Sequence, residues 1–392
     1  MRAPAPILTS NRRDMAVLTT AQFSISFALN FMFVFLPFYV QAVSPLDESA
    51  TLRWTGLIVG AASATATIGS AFWGHLTSRF SPKVILERGL LSHAILVGLM
   101  AFTADLRLLL LIRIVQGFLG GISTIGLIII SAISTPDQLA RRMGTYHSAL
   151  TLGQIFSPPL GAMAAATFGY RGAFLASSLM MLAIFLFCQF GLSQIPPHPH
   201  AATAEAVPRG QLLSAWLLSF AATIQIVFLP SVLPALLRTF AIPDAAQLLT
   251  AGLIVFAYGG AAAAGSYSLA RLAGRIPGHR LLLAAALGAS LLQVALILGG
   301  GPVGFTLIRM AQAFLAAGIF PVILSLVAAR SHGRAIGLIN TSRFAGNAAG
   351  PILATFILAR SNLLVLYAVL GAGLAAGAAG HYAAASASPK NR

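Results

Sequence analysis

The sequence predicts an all-α polytopic membrane protein of twelve transmembrane helices arranged as two six-helix repeats. Three observations predict it. First, hydrophobic residues make up 58% of the 392 positions and charged residues 8%. Second, the apolar runs reach the roughly 20 residues that a helix needs to cross a hydrocarbon core. Third, the chain repeats itself. LIRIVQGFL from Leu111 returns as LIRMAQAFL from Leu307, 196 residues later, which is half the chain. VFLP at Val34 to Pro37 returns at Val227 to Pro230, and Gly153 with Pro158 returns as Gly346 with Pro351, both at an offset of 193. Three matches in the same order mean two homologous halves, and a duplicated apolar chain places its binding site between the repeats.

The elements follow in order. Residues 1–14 are polar and basic, and the apolar run after them (about 15–40) exceeds the 7 to 15 residues of a signal-peptide core, so it is expected to stay as the first helix. It carries two stripes at four-residue spacing. Gln22, Ser26 and Asn30 form a polar ribbon, and Phe23, Phe27, Phe31 and Phe35 an aromatic one beside it. An unpaired amide in the hydrocarbon costs several kcal/mol, so the polar ribbon is expected to line a cavity. The phenylalanines either line it too or pack against lipid and neighbouring helices. The second run (54–76) contains GAASATATIGSA from Gly60, whose small side chains permit close helix approach. The third (84–104) holds His93. The fourth (106–132) holds Arg113 about six residues inside it, with Gln116 one turn on along the same face. The fifth (143–167) holds His147, Gly153, Pro158, Pro159 and Gly161, and its prolines are expected to kink it.

The sixth run (171–193) carries Cys188, the only cysteine, which excludes an intramolecular disulfide and a multi-cysteine metal site. Residues 195–210 are rich in Pro and Ala and read as a flexible cytoplasmic linker between bundles at 1–194 and 211–392. His198 and His200 within it read as solvated rather than metal-binding. The seventh run (212–238) repeats part of the first: Ser26 maps to Ser219 and Asn30 to Thr223, and Gln225 joins them as candidate lining. The eighth (247–270) is again small-residue rich, and the ninth spans 280–299. The tenth (303–329) carries Arg309 and Gln312, the repeat mates of Arg113 and Gln116. The eleventh (335–359) holds Gly346 and Pro351, and the twelfth spans 362–383.

The net charge of +16 reports orientation rather than a nucleic-acid partner. Sixteen basic residues flank one side of the spans and five the other, with Arg113, Arg309 and Arg343 inside helices. Loops rich in Lys and Arg stay cytoplasmic, which puts both termini inside.

The loop between the second and third spans, GHLTSRFSPK from Gly74, resembles the loop signature of the major facilitator superfamily. Gly74, Arg79 and Lys83 match it; Ser78 stands where the family has an acid and Ser81 where it has a second Gly. GRIPGHR from Gly274 resembles a degraded second copy. Arg113, Gln116 and Gly117 match the family's Arg, Gln, Gly pattern, and Gly153, Ser157, Pro158 and Gly161 resemble the Gly/Pro signature of its exporters. With GYRGAF from Gly169, the resemblance runs through essentially the whole chain and is most like the twelve-helix drug exporter (drug:proton antiporter) branch. It implies the major facilitator fold, alternating access, a small-molecule substrate, a multi-pass place in the inner membrane among its lipids, and protons as a coupling ion. No cofactor or metal is expected, and a monomer is.

An Arg embedded in an apolar helix is costly, so Arg113 and Arg309 are expected to face the bundle interior or a wet cavity. They either polarise that cavity and bind anionic groups, or bond backbone carbonyls as structural residues. No Asp or Glu falls mid-span, so proton coupling would use His93, His147 or a carboxylate near a helix end. The chain has no Gly-x-Ser-x-Gly, no His-Glu-x-x-His and no paired embedded carboxylates, which argues against an intramembrane enzyme. The expected function is export of small amphipathic solutes; uptake or exchange of an anionic metabolite is the alternative, and a non-transporting receptor has little extramembrane surface with which to signal.

Overall fold

A computed structural model describes residues 11–196, 209–328 and 334–386. The linker positions His198, His200 and Glu205 and both chain ends lie outside the described residues. Fourteen α-helices appear among the described residues. They are α1 (Asn11–Phe31), α2 (Phe35–Val43), α3 (Glu48–Leu76), α4 (Pro82–Met100), α5 (Leu106–Phe118), α6 (Ile122–Ile133), α7 (Pro136–Gly191), α8 (Arg209–Val227), α9 (Leu229–Thr239), α10 (Asp244–Leu272), α11 (Gly278–Ala295), α12 (Pro302–Ala328), α13 (Arg334–Leu358) and α14 (Leu363–Ser386).

They build twelve spans. The first, fourth and seventh spans are each two helices, α1–α2, α5–α6 and α8–α9, interrupted at residues 32–34, 119–121 and 228. The α5–α6 break turns on Gly121, whose φ of +83° is open to glycine. The opposite departure is α7, which runs through two spans, with helical angles continuing across Pro158 and Pro159 and failing only at Gly169 (φ 70°, ψ 170°). The sequence breaks this stretch into two helices at 167–171; Gly169 supplies the turn while the flanking hydrogen bonds persist. Starts are fixed by ordinary capping. The Asp47 carboxylate accepts from Ala50 N at 2.8 Å, and Asp105 from Arg107 N and Leu108 N at 2.7 and 3.0 Å. The N–H groups of Leu108 and Arg107 hold the Asp105 carboxyl below its usual range.

Two apolar clusters sit within the first six spans and one within the last six. A fourth joins the repeats: Val34, Phe38 and Ala162 pack with Phe228, Leu229, Val232 and Leu233. Helix α3 lies against α13 and α10 against α7, at glycines. A Cβ at Gly56 would lie 2.8 Å from Pro351 O, one at Gly60 2.5 Å from Ala348 O, and one at Gly252 2.8 Å from Ala162 Cβ. Nearby, Ser49 Oγ donates to Ala359 O at 2.9 Å, and Arg238 pairs with Glu48 at 3.2 Å and with Gln41 at 3.2 Å. All these contacts lie toward the end that bears loops 44–47, 240–243 and 359–362. The halves are closed there.

Candidate substrate cavity

The polar ribbon of α1 is mostly enclosed. Gln22 Nε2 donates to Ser26 Oγ at 3.0 Å and to Ser123 Oγ of α6 at 3.2 Å, while Asn30 Nδ2 donates to Ser26 O at 2.8 Å. Gln22 and Ser26 are buried, Asn30 half-buried, and Gln22 Oε1 has no hydrogen-bond partner among the described residues. The aromatic stripe forms a ladder, with ring centroids of Phe23, Phe27, Phe31 and Phe35 separated by 6.0, 5.9 and 6.4 Å. Phe23 is exposed and Phe27 half-buried, whereas Phe31 and Phe35 are buried. The face of α7 that meets this helix is set by Gly153 and Gly161: a Cβ at the first would lie 2.9 Å from Phe27 N and one at the second 2.8 Å from the carbonyl carbon of Phe31. The second repeat keeps this joint, since a Cβ at Gly346 would meet Phe220 O at 3.0 Å. Pro158 and Pro351 lie at the contacts with Gly252 and Gly56.

The two embedded arginines are held by their own chain. Arg113 Nη1 donates to Gln116 Oε1 at 2.6 Å, Nε to Ile58 O at 3.1 Å and Nη2 to Val59 O at 3.2 Å, tying α5 to α3. Arg309 donates to Gln312 Oε1 and, at 3.1 Å, to Ile226 O. Its guanidinium also lies over the rings of Tyr258 and Phe228, at 4.5 and 5.0 Å. Gln312 Nε2 reaches Gln225 Oε1 at 2.9 Å, and Gln225 Nε2 reaches Leu370 O at 2.7 Å. Ser342 Oγ donates to Ser219 Oγ at 2.6 Å, and Thr223 Oγ1 to Ser219 O at 2.8 Å. Ser219, Gln225, Arg309 and Gln312 are fully buried, so in this conformation they knit helices together.

The loop residues divide. Arg79 is exposed, and a Cβ at Gly74 would meet nothing within 4 Å. Lys83 is buried; its Nζ donates to the carbonyls of Gln189 and Leu192 at 2.8 and 2.7 Å, where a cation suits the negative end of α7, and it lies 3.6 Å from Glu87. It therefore caps a helix of its own half rather than reaching the facing one. His93 is also buried, with Nδ1 2.9 Å from Gly89 O.

Two further polar stripes are not recognised as such in the sequence, although His147 and Arg343 are each noted there. On α7, His147, Thr151 and Gln154 share a face, with His147 and Gln154 exposed; on α13, Asn340, Arg343 and Asn347 do the same, with Asn340 and Arg343 exposed. The stripes are repeat mates: at the offset of 193, His147 maps to Asn340 and Gln154 to Asn347. Arg343 lies over the Phe320 ring at 4.7 Å and near enough to His147 for their charges to interact. The signal is the polar spacing within apolar helices, i, i+4, i+7 on α7 and i, i+3, i+7 on α13. Among the described residues no three His, Cys, Asp or Glu side chains converge on a metal site.

Two packed bundles with arginines and amides inside their spans have parallels among known proteins. The chain is 24% identical over 382 residues to "Multidrug resistance protein MdtG" of Serratia proteamaculans (strain 568), covering 94% of this chain and 92% of the relative. To the protein of that name from Enterobacter lignolyticus (strain SCF1) it is 23% identical over 370 residues, covering 91% and 88%. Among solved structures it resembles a bacterial homolog of the human lysosomal transporter Spinster in an inward-facing and occupied conformation, with a TM-score of 0.81, 14% identity, and coverage of 98% and 99%. The nucleoside transporter NupG superposes with a TM-score of 0.75 at 10% identity over 95% and 99%. The family model described as Major Facilitator Superfamily matches residues 18–351, from the polar ribbon of α1 to Pro351 of α13. Motifs, fold and family match agree: the chain belongs to the Major Facilitator Superfamily.

Proposed function

We propose that this protein is a multidrug-type exporter that moves small amphipathic organic solutes across the inner membrane by alternating access. One observation carries the reading: the halves are locked together at the Glu48 end, while α7 and α13 carry polar residues at matching repeat positions toward their opposite ends. Such a shape admits a solute from one side only, and a binding site between repeats served by rocking of rigid halves is how such folds work. The multidrug resistance names of the relatives support the export direction. The moving bodies are residues 1–194 and 211–392, joined by the linker 195–210. Both chain ends and the linker face the cytoplasm, given the bias of basic residues to that side. The protein works as a monomer among membrane lipids, with protons as the counter-ion that the antiporter branch implies.

The candidate cavity comprises the α7 and α13 stripes with Phe23, Phe27 and Asn30 of α1; Gln22, Ser26, Arg113, Gln116, Thr223 and Arg309 form its supporting walls. Flux of a panel of dyes and antibiotics in proteoliposomes, with and without a pH gradient, tests the function. Gradient-dependent export of several unrelated amphipaths is expected, and no flux of any would refute it. Reporter fusions after Pro196 and at Arg392 should both read cytoplasmic; an outside signal at either overturns the orientation.

A further inference from the structure

Of the three arginines deep within the described spans, Arg113, Arg309 and Arg343, only Arg343 makes no hydrogen bond to a described residue. Arg113 and Arg309 donate to glutamines and backbone carbonyls. Arg343 is exposed, rests on the Phe320 ring and makes no hydrogen bond to any described residue. Its repeat position in the first half is Leu150, so this charge breaks the symmetry that the neighbouring stripe residues keep. No acid stands on either stripe: the described carboxylates of Asp14, Asp47, Glu48, Glu87, Asp105 and Asp244 lie in loops or near helix ends. A guanidinium is permanently charged and presents five donors in a fork that matches a carboxylate. Placed inside a membrane without a counter-ion it is costly, and a bound anion removes that cost. Water screening is weak in such a gap, so the same charge repels a cationic solute.

Resting on the exporter reading, we infer that Arg343 of α13 and His147 of α7 form a two-sided head-group site for an amphipathic organic monoanion, a carboxylate or sulfonate. The guanidinium takes the anion from one half and an imidazole N–H reaches it from the other. Asn340, Gln154 and Asn347 flank the head group, and the exposed and half-exposed rings of Phe23 and Phe27, whose helix packs on Gly153 beside Gln154, receive the apolar part. A ligand that touches both halves binds the state with the halves drawn together more tightly than the open one. Occupancy therefore promotes closure at this end.

The test compares three probes of one shape, 1-naphthylacetate, 1-naphthylacetamide and 1-naphthylmethylammonium, for binding to the full-length protein in nanodiscs and for flux in proteoliposomes. Wild type should prefer the carboxylate. Arg343→Gln should weaken it by roughly 10- to 100-fold, the scale of a charge-assisted pair, and leave the amide within about twofold. Arg343→Lys should fall between. Should Arg343→Gln fail to fold, His147→Asn, which copies the repeat residue Asn340, serves as the second variant and should weaken the carboxylate alone, by roughly threefold or more. Carboxylate binding undiminished in a folded Arg343→Gln or His147→Asn protein overturns the assignment. So does a wild type that carries the ammonium and not the carboxylate, an outcome that leaves the exporter reading intact. A wild type that neither binds nor moves any probe or panel compound removes both.

Discussion

Arg113 and Arg309 occupy one repeat position yet meet different surroundings. Both reach the glutamine three residues on, a partnership their spacing announces. Beyond it, Arg113 grips two carbonyls of α3, whereas Arg309 is walled in by the Tyr258 and Phe228 rings and a single carbonyl of α8. Planarity matters more at Arg309, because a guanidinium stacks on rings and forks its donors while an ammonium does neither. Arg309→Lys should therefore lower thermal stability by about 1.5–3 kcal/mol for each charged hydrogen bond lost. Arg343→Lys, on an exposed and unbonded side chain, should stay within about 0.5 kcal/mol. Melting curves of purified protein in detergent check both, and equal shifts would contradict the difference in environment. Arg343 shows what sequence could not weigh. Its spacing to Asn340 and Asn347 was visible, but which face of α13 meets the gap depends on where α7 lies, which no local pattern records.

The same limit appears among the helices. Twelve apolar runs are legible because the requirement for about 20 apolar residues is local, and small-residue stretches rightly mark close crossings such as Gly60 on Ala348. The breaks in the first and seventh spans are not legible, since Met32 to Val34 and Phe228 are as apolar as their neighbours and bend only in a packed bundle. Nine helical stretches among the described residues are apolar and long enough to cross a membrane on composition alone; one of them, Arg141–Gly191, holds two spans, while α4 and α13 earn their place by packing. Gly161 of the exporter-like signature and Gly74 of the superfamily-like loop separate sharply. A methyl group at Gly161 would run into the Phe31 backbone, and one at Gly74 would meet open space. Gly161→Ala should cost about 1–3 kcal/mol through forced repacking, while Gly74→Ala should be neutral or stabilising by up to about 1 kcal/mol, the helix propensity gain. Gly169 offers a third case, for its surroundings are open but its φ of 70° with ψ of 170° is closed to other residues. Gly169→Ala should lose about 1–3 kcal/mol from the backbone alone. Thermal unfolding of the three variants decides, and a stable Gly161→Ala protein would mean that α1 and α7 are free to separate.

At the scale of the whole molecule, closure at the Glu48 end has two components of unequal weight. The Arg238–Glu48 pair is the more conspicuous, but its side chains are 48% and 67% exposed, and ion pairs of that kind contribute about 0–1 kcal/mol. The α3–α13 crossing is different in kind. Gly56 and Gly60 bring helix backbones together against Pro351 and Ala348, with Ser49 bonded to Ala359 beyond them. Large side chains there cannot coexist with the closed end, so they must shift the population toward the state in which it is open. Gln154→Cys reports that shift, because the natural Cys188 is fully buried and gives little background to an impermeant maleimide. Reagent added on the Glu48 side should label the Gln154→Cys protein slowly, and Glu48→Gln should raise the rate less than roughly fivefold, the equivalent of a surface pair. Gly56→Leu should raise it by more than tenfold, the equivalent of about 1.4 kcal/mol of population shift. Fast labelling after Glu48→Gln with no change after Gly56→Leu would show that the ion pair, and not the helix crossing, holds this end shut.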